Sequence, residues 1–214
     1  MNFEFDEDQN LLREQAQGFL ADNCPPAVVR AVLDSDADYD PELWGKIVEM
    51  GYTATVIPEE FGGLGLSYLE LSVIAEEIGR VAAPVPFSSS VYLATEALLL
   101  AGSQEQKEAW LPKLAAGEAI GTFAMAETHG RPSPANLQTS VSDGAISGTK
   151  IPVADGGIAD VAVVVANNGL YLVDLSGAGV TRTPVRTLDF SRAVSYTHLR
   201  AHETTSLISY AVFC

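Results

Sequence analysis

The chain is short of cysteine, of basic residues and of long apolar runs, and each shortage excludes something. Its two cysteines, Cys24 and Cys214, form no C-x-x-C pair, so neither a disulfide framework nor a thiolate zinc site is expected. The three histidines, His129, His198 and His202, share no metal-ligand spacing, and no metal is expected. Only 12 Lys and Arg stand against 28 Asp and Glu, a formal net charge of −16. Phosphate backbones and anionic membrane surfaces are held by clustered cations, so neither nucleic acid nor membrane is an expected partner. The negative charge itself reads as solubility through self-repulsion; an anionic small ligand needs only a local basic or amide-lined pocket. No apolar run approaches the ~20 residues of a membrane span, and Ala97–Ala101 is flanked directly by Glu96 and Gly102. The first eight residues are acidic where a secretory signal is basic and then apolar. A cytoplasmic location is the default expectation.

What is present is a chain patterned for folding: 47% of its 214 residues are hydrophobic, enough for one or two cores. The first half is patterned for helices. Between Asp8 and Ala21, residues Leu11, Leu12, Ala16, Phe19 and Leu20 recur at helical spacing. Asp40-Pro41 is a start signal for a helix carrying Leu43, Trp44, Ile47 and Val48 and stopping at Gly51. Val56 to Leu66 contains three glycines and a proline and reads as a loop. Ser67 with Glu70, and Ser103 with Gln106, are capping boxes. The first opens a helix through Leu71, Ile74 and Ile78; the second opens a short helix ending near Leu114 or Ala115. Ser88 to Leu100 reads as one buried helix, apolar nearly all round.

The period changes after Gly117. Ile120–Met125, Thr139–Val141, Ala145–Ser147, Ala159–Ala166 and Leu170–Asp174 are short runs, several rich in β-branched residues, and turn signals such as Asp143-Gly144 and Asn167-Asn-Gly169 separate them. Helices followed by strands predict an α+β multidomain chain, an all-α domain over 1–118 followed by an antiparallel β-barrel domain over 119–193. Val194 to Thr204 does not continue the strand pattern. Its first residues translate the string GTC-TCT-TAT-ACA-CAT, which resembles a transposase adapter left in short-read libraries. Residues 194–214 are therefore expected to be a non-native tail, with an ordinary polar terminus as the alternative.

Pro58-Glu-Glu-Phe-Gly-Gly-Leu-Gly-Leu-Ser67 with Glu76-Glu-Ile-Gly-Arg80 resembles the N-terminal domain of acyl-CoA dehydrogenases, and Gly102–Glu118 resembles its end. Phe123-Ala-Met-Ala-Glu127, Gly148-Thr-Lys150, Ala159-Asp160 and Gly179–Asp189 resemble the family's middle β-domain. The resemblance implies a third, C-terminal helical bundle, before which this chain is truncated. It implies FAD as cofactor, held between barrel and bundle and partly by a neighbouring subunit. It also implies an acyl-CoA substrate, an electron-transfer flavoprotein or similar acceptor, and a homo- or hetero-oligomer. In the family a glutamate removes the α-proton of the thioester while the β-carbon gives a hydride to the flavin. That glutamate comes from the bundle, so no residue of this chain is assigned as catalytic.

The cofactor-binding positions that the resemblance implies are Phe123, Met125, Ala126, Arg131, Val153 and Ala154. Several depart from the family pattern. Ala126 stands where the family has a flavin-contacting threonine. Arg131-Pro132 replaces the Gly-Ser of the pyrophosphate turn, and Pro152 and Ala154 replace a tryptophan and a threonine. Backbone amides at Ala126 and Ala154 remain available whatever the side chain, each lost hydroxyl removes about 1 kcal/mol of binding, and Arg131 is able to pair with a pyrophosphate. Read without the resemblance, Phe123, Met125 and Ala126 are an inward-facing strand, Arg131 a solvated loop residue and His129 a polar loop residue with no carboxylate partner. Pro84–Phe87 is either part of the acyl pocket, by analogy, or a plain interhelix turn. Glu76 and Glu77 point about 100° apart on a helix and read as solvent-facing or structural, not as a catalytic pair. Three functions stand beside the dehydrogenase: a non-catalytic partner subunit of a mixed oligomer, an interaction module without redox activity, and a flavin oxidase or monooxygenase on the same scaffold.

Overall fold

The computed structural model describes residues 5–128, 133, 136–177, 179–187, 192–201 and 205–209. By spatial proximity the chain divides into two units: residues up to Val85 with Ala115–Gly117, and Pro86–Leu114 with the residues from Glu118 onward.

The first unit is helical. Its helices are α1 (Glu7–Asn23), α2 (Pro26–Leu33), α3 (Pro41–Glu49) and α4 (Tyr68–Arg80). Each expected start is built as the sequence implies. Asp40 accepts from the Leu43 amide at 2.9 Å, and the Glu70 carboxylate accepts from the Ser67 amide at 2.9 Å. Helix α2 has no counterpart in the sequence reading; Pro25-Pro26 looks like a break, yet proline in the first helical turn wastes no donor. Ala16, Leu20, Leu43, Ile47, Ile57 and Ile74 form the buried interior. Beside it runs a polar seam. The Gln9, Arg13 and Gln17 side chains of α1 donate to Glu70, Glu76 and Glu77 of α4 at 3.0, 2.9 and 2.9 Å. Glu77, 3% exposed, also accepts from Arg80, so of the two adjacent glutamates one is a buried structural acceptor and the other an exposed ion-pair partner. The glycine-rich loop closes on itself: the Gly65 amide donates to Ile57 O at 2.9 Å, and a Cβ on Gly63 would lie 1.9 Å from that same oxygen.

The second unit holds the remaining helices and the strands. The stretch expected as one helix winds as a π-helix over Ser88–Thr95 and continues as α5 (Glu96–Ala101). The π-helical part buries hydroxyls among its apolar residues: Ser89, Ser90 and Thr95 are all enclosed. After α6 (Gln104–Ala115) the described residues form eight strands. One sheet has the order β1-β4-β5-β8, with β1 at Gly121–Ala124, β4 at Val161–Ala166, β5 at Gly169–Asp174 and β8 at Thr205–Ser209. The other has the order β2-β3-β7-β6, with β2 at Ser140–Ser142, β3 at Ala145–Ala154, β6 at Val180–Arg186 and β7 at Arg192–Ala201. Pairing is antiparallel except between β1 and β4, and among the described residues the two sheets do not close into a barrel. The helices 88–114 group with the strands because Gly121 of β1 seats directly on them; a Cβ there would meet Ala94 at 2.5 Å and Leu114 at 3.3 Å.

Residues 192–201 form a strand where no continuation of the strand pattern was expected. They continue the sheet as β7, paired with both β3 and β6, and Val194 and Tyr196 are buried, with the Tyr196 hydroxyl donating to Gly156 O at 2.9 Å. Ala193 to Tyr196 are buried at four successive positions, so that stretch is enclosed on both faces, and Val-Ser-Tyr-Thr is a β-prone run whatever DNA encodes it.

Two glycine substitutions test how local geometry decides stability. Gly18 is exposed on α1 with open space around it, so Gly18→Ala is expected to stabilise by about 0.5–1 kcal/mol. Gly63→Ala, which drives a methyl into the Ile57 carbonyl, is expected to cost several times that. Denaturant midpoints of the two variants should shift in opposite directions.

Candidate functional site

The strand β1 and its exit run beside β3, although the two belong to different sheets. Three hydrogen bonds make the join. The Thr122 hydroxyl donates to Ala154 O at 2.6 Å. The Ile151 amide donates to Ala126 O at 2.8 Å, and the Lys150 ammonium donates to Met125 O at 3.0 Å. The sequence-derived positions Phe123, Met125, Ala126, Val153 and Ala154 all lie along this line. Thr122 and Ala124 are buried, while Phe123, Met125 and Ala126 remain half-buried and open on one side. Across the join, Pro152 and Ala154 are exposed and Val153 is wholly enclosed in the core with Ala124 and Ile146. Val153 therefore has only its backbone to offer a ligand. Arg131 and His129 lie outside the described residues.

Beneath this strip sits a polar cluster that no single residue of the sequence announced. Lys150 has a side chain 0% exposed and pairs with Glu127, 11% exposed, at 2.8 Å. The Glu127 carboxylate also accepts from the Gln138 amide at 2.6 Å, the Thr139 amide at 2.9 Å and the Thr139 hydroxyl at 2.5 Å. Burial alone would raise the pKa of Glu127, but hydrogen bonds from Lys150, Thr139 and the Gln138 and Thr139 amides outweigh it and hold the carboxyl at about 2. Burial pulls Lys150 below its ordinary value, and the ion pair with Glu127 opposes that pull. Phe123–Glu127 and Gly148-Thr-Lys150 are both part of the family resemblance, so each residue carries a signal; their pairing is not legible because 23 residues separate them.

At the other end of the strip, Asp155 sits at φ 51° in the left-handed region, which aspartate tolerates better than most residues. Its carboxylate accepts from the buried Ser89 hydroxyl at 2.6 Å, and the Ser90 hydroxyl oxygen accepts from the Gly121 amide at 3.2 Å. The π-helix thus anchors both β1 and the turn after β3. Of the segment 84–87, Phe87 is buried and packs edge-on against Tyr92 with ring centroids 5.3 Å apart. Among the described residues no group of His, Cys, Asp or Glu is arranged to hold a metal ion.

The strip fits one part of the flavin that the resemblance implies. Half-buried Phe123 and Met125 present apolar and polarizable surface suited to a planar heteroaromatic ring. The carbonyls of Met125 and Ala126 are already taken by β3, which fixes the backbone on which a ring would rest. The segment matched to the pyrophosphate turn lies outside the described residues.

Glu127 should govern part of the acid stability. With its folded pKa depressed to about 2 against 4.5 for the free group, its contribution is complete above the unfolded value and is lost as pH falls through the folded one. Glu127→Gln is expected to cost roughly 3–5 kcal/mol near neutrality by leaving Lys150 buried and unpaired. Unfolding free energies of the two proteins should converge as the pH is lowered from about 5 towards 2; a gap that stays constant would show that Glu127 does not titrate there.

A family model described as "Acyl-CoA dehydrogenase, N-terminal domain" matches residues 6–118. Acyl-CoA dehydrogenase IpdE2 of Mycolicibacterium smegmatis is 40% identical over 117 residues, 54% of this chain and 36% of that protein. Mitochondrial isovaleryl-CoA dehydrogenase of Arabidopsis thaliana is 36% identical over 125 residues, 58% of this chain and 31% of its own length. This chain thus covers about a third of each of these relatives. Among solved structures, the ChsE4-ChsE5 complex of Mycobacterium tuberculosis superposes with a TM-score of 0.81 at 25% identity, over 96% of this chain and 58% of that one. Glutaryl-CoA dehydrogenase of Mycobacterium smegmatis in complex with FADH2 does so with a TM-score of 0.81 at 25% identity, over 96% and 57%. The sequence match spans α1 to α6 and the structural likeness extends through the strands that carry the strip; this chain belongs to the acyl-CoA dehydrogenase family.

Proposed function

We propose that this chain is the front part of a flavin-dependent acyl-CoA dehydrogenase that oxidises an acyl thioester between its α- and β-carbons. The observation that carries the reading is the half-buried strip Phe123–Ala126, hydrogen-bonded to Lys150 and Ile151 of β3, in a chain of this family. FAD, when bound, supplies the two-electron acceptor. Phe123 and Met125 exclude water from one side of the ring, and the Ala126 and Ala154 amides are its hydrogen-bond donors in place of the missing hydroxyls. The proton-abstracting base comes from outside this chain. The carboxylates flanking the strip in sequence are both engaged: Glu127 by Lys150 and Thr139, and Asp155 by Ser89. A carboxylate held at about 2 by several donors is too weak a base to take an α-proton. An electron-transfer flavoprotein or a similar carrier reoxidises the cofactor, the complete enzyme is an oligomer, and its location is cytoplasmic.

A second reading, a non-catalytic partner subunit in a mixed oligomer, is favoured by one observation. Pro152 and Ala154 are exposed at positions where the family's contacting side chains would stand. The ChsE4-ChsE5 complex is a two-component example among the structural relatives.

Flavin content decides between the readings. The protein expressed from its complete genomic reading frame is expected to purify yellow, to carry FAD and to bleach on addition of an acyl-CoA. The 214-residue chain alone is expected to give no turnover with an artificial acceptor. A colourless complete protein that gains flavin only beside a co-expressed relative would establish the partner role. No flavin under either condition would leave the interaction module.

We also propose that residues 194–214 derive from adapter DNA. Val-Ser-Tyr-Thr is a strongly β-prone run, and such a run takes a strand position whatever its origin. Amplifying the locus from genomic DNA should return a different codon series after Ala193; recovery of the same codons would end this proposal.

A further inference from the structure

Lys150 is an expensive residue to bury. Its side chain is 0% exposed, and an apolar residue of similar volume would fill the space without removing an ion from water. What the ammonium gains is a set of contacts no apolar side chain makes. It donates to Met125 O and to Glu127, so one lysine of β3 holds two residues of the chain leaving β1. Glu127 then gathers the Gln138 and Thr139 amides and the Thr139 hydroxyl. Gly148 is pressed against the same threonine: a Cβ there would lie 2.3 Å from Thr139 Oγ1. Residues 125, 127, 138, 139, 148 and 150 are thus locked around one buried ion pair, and residues 125 and 126 are the strip on which a ring would lie.

We infer that Lys150 is a positioning residue for the flavin ring, setting the line of the Met125–Glu127 backbone through its two hydrogen bonds without touching the cofactor. The inference rests on the flavin reading of the site. It predicts that removing the ammonium displaces the strip and that a bound flavin registers the displacement.

The test uses the complete protein with Lys150→Met, with Thr139→Val as a milder variant that leaves the ion pair in place, and with Leu170→Ala as a core control in β5 that is not one of the cluster's residues. Three quantities are read: FAD affinity by quenching of flavin fluorescence, the visible circular dichroism of the bound flavin, and the thermal midpoint. Lys150→Met is expected to weaken FAD binding roughly tenfold, the order of one lost charge-assisted hydrogen bond, and to change the flavin dichroism. Thr139→Val should do the same to a smaller degree. Leu170→Ala should lower the thermal midpoint while leaving affinity and dichroism as in the parent. Unchanged affinity and dichroism in Lys150→Met would overturn the inference while leaving the flavin reading intact. So would losses in Leu170→Ala as large as those in Lys150→Met, because they would trace to stability alone. If Lys150→Met does not fold, Thr139→Val decides: parental dichroism there overturns the inference, and altered dichroism at a near-parental midpoint supports it. A parent protein that holds no flavin overturns both.

Discussion

A buried ammonium must have acceptors, and that requirement organises the strand-bearing unit. Lys150 lies inside a sheet and finds its acceptors on the segment that follows β1, a strand of the other sheet: Met125 O and the Glu127 carboxylate. An unpaired charge there would cost several kcal/mol, which favours the path after β1 that keeps the lysine satisfied. The Thr122 hydroxyl and the Ile151 amide make parallel connections along the same line. A hydrophobic join would hold two sheets together with some freedom to slide. A join made of directed hydrogen bonds fixes register, and a ligand ledge needs fixed register more than adhesion.

The π-helix contributes a second set of directed contacts from the opposite end. Ser89 and Ser90 are buried hydroxyls, each with a partner in the strand region: the Asp155 carboxylate and the Gly121 amide. Single-turn π segments are often found at functional sites, and here the segment anchors the strand and the turn that bracket the strip. The first unit uses polar contacts differently. The α1–α4 seam is a ladder of amide, guanidinium and carboxylate groups beside an apolar interior, and it fixes the pairing of two helices.

The same hydrogen bonds bear on function by what they consume. A base must be free to take a proton, and Glu127 and Asp155 are both already hydrogen-bonded acceptors. What this part of the molecule has left is backbone, two pliable apolar side chains and exposed small residues at Pro152 and Ala154. Such a surface is suited to packing against a planar ring.

Local chemistry was legible in the sequence because it depends on neighbours in the chain. The Asp40, Ser67 and Ser103 caps, the glycine-closed loop, the Asp143-Gly144 turn and the change from helical to strand period follow from residues within a few positions of one another, and so does the order of motifs that carries the family likeness. Phe123, Met125, Ala126 and Ala154 could be brought to one place by that likeness, but their exposure could not. Val153 was read with them and is turned into the core. Helix α2 hid behind two prolines, the π-helix behind an apolar composition, and β7 behind the likeness of its codons to adapter DNA. Glu127 and Lys150 are 23 residues apart, and nothing in either neighbourhood names the other. Sequence by itself determined the caps, the turns, the change of period and the family they compose; tertiary structure alone decided which buried charges meet, because a pairing between distant segments is set by the cost of burying each partner without the other.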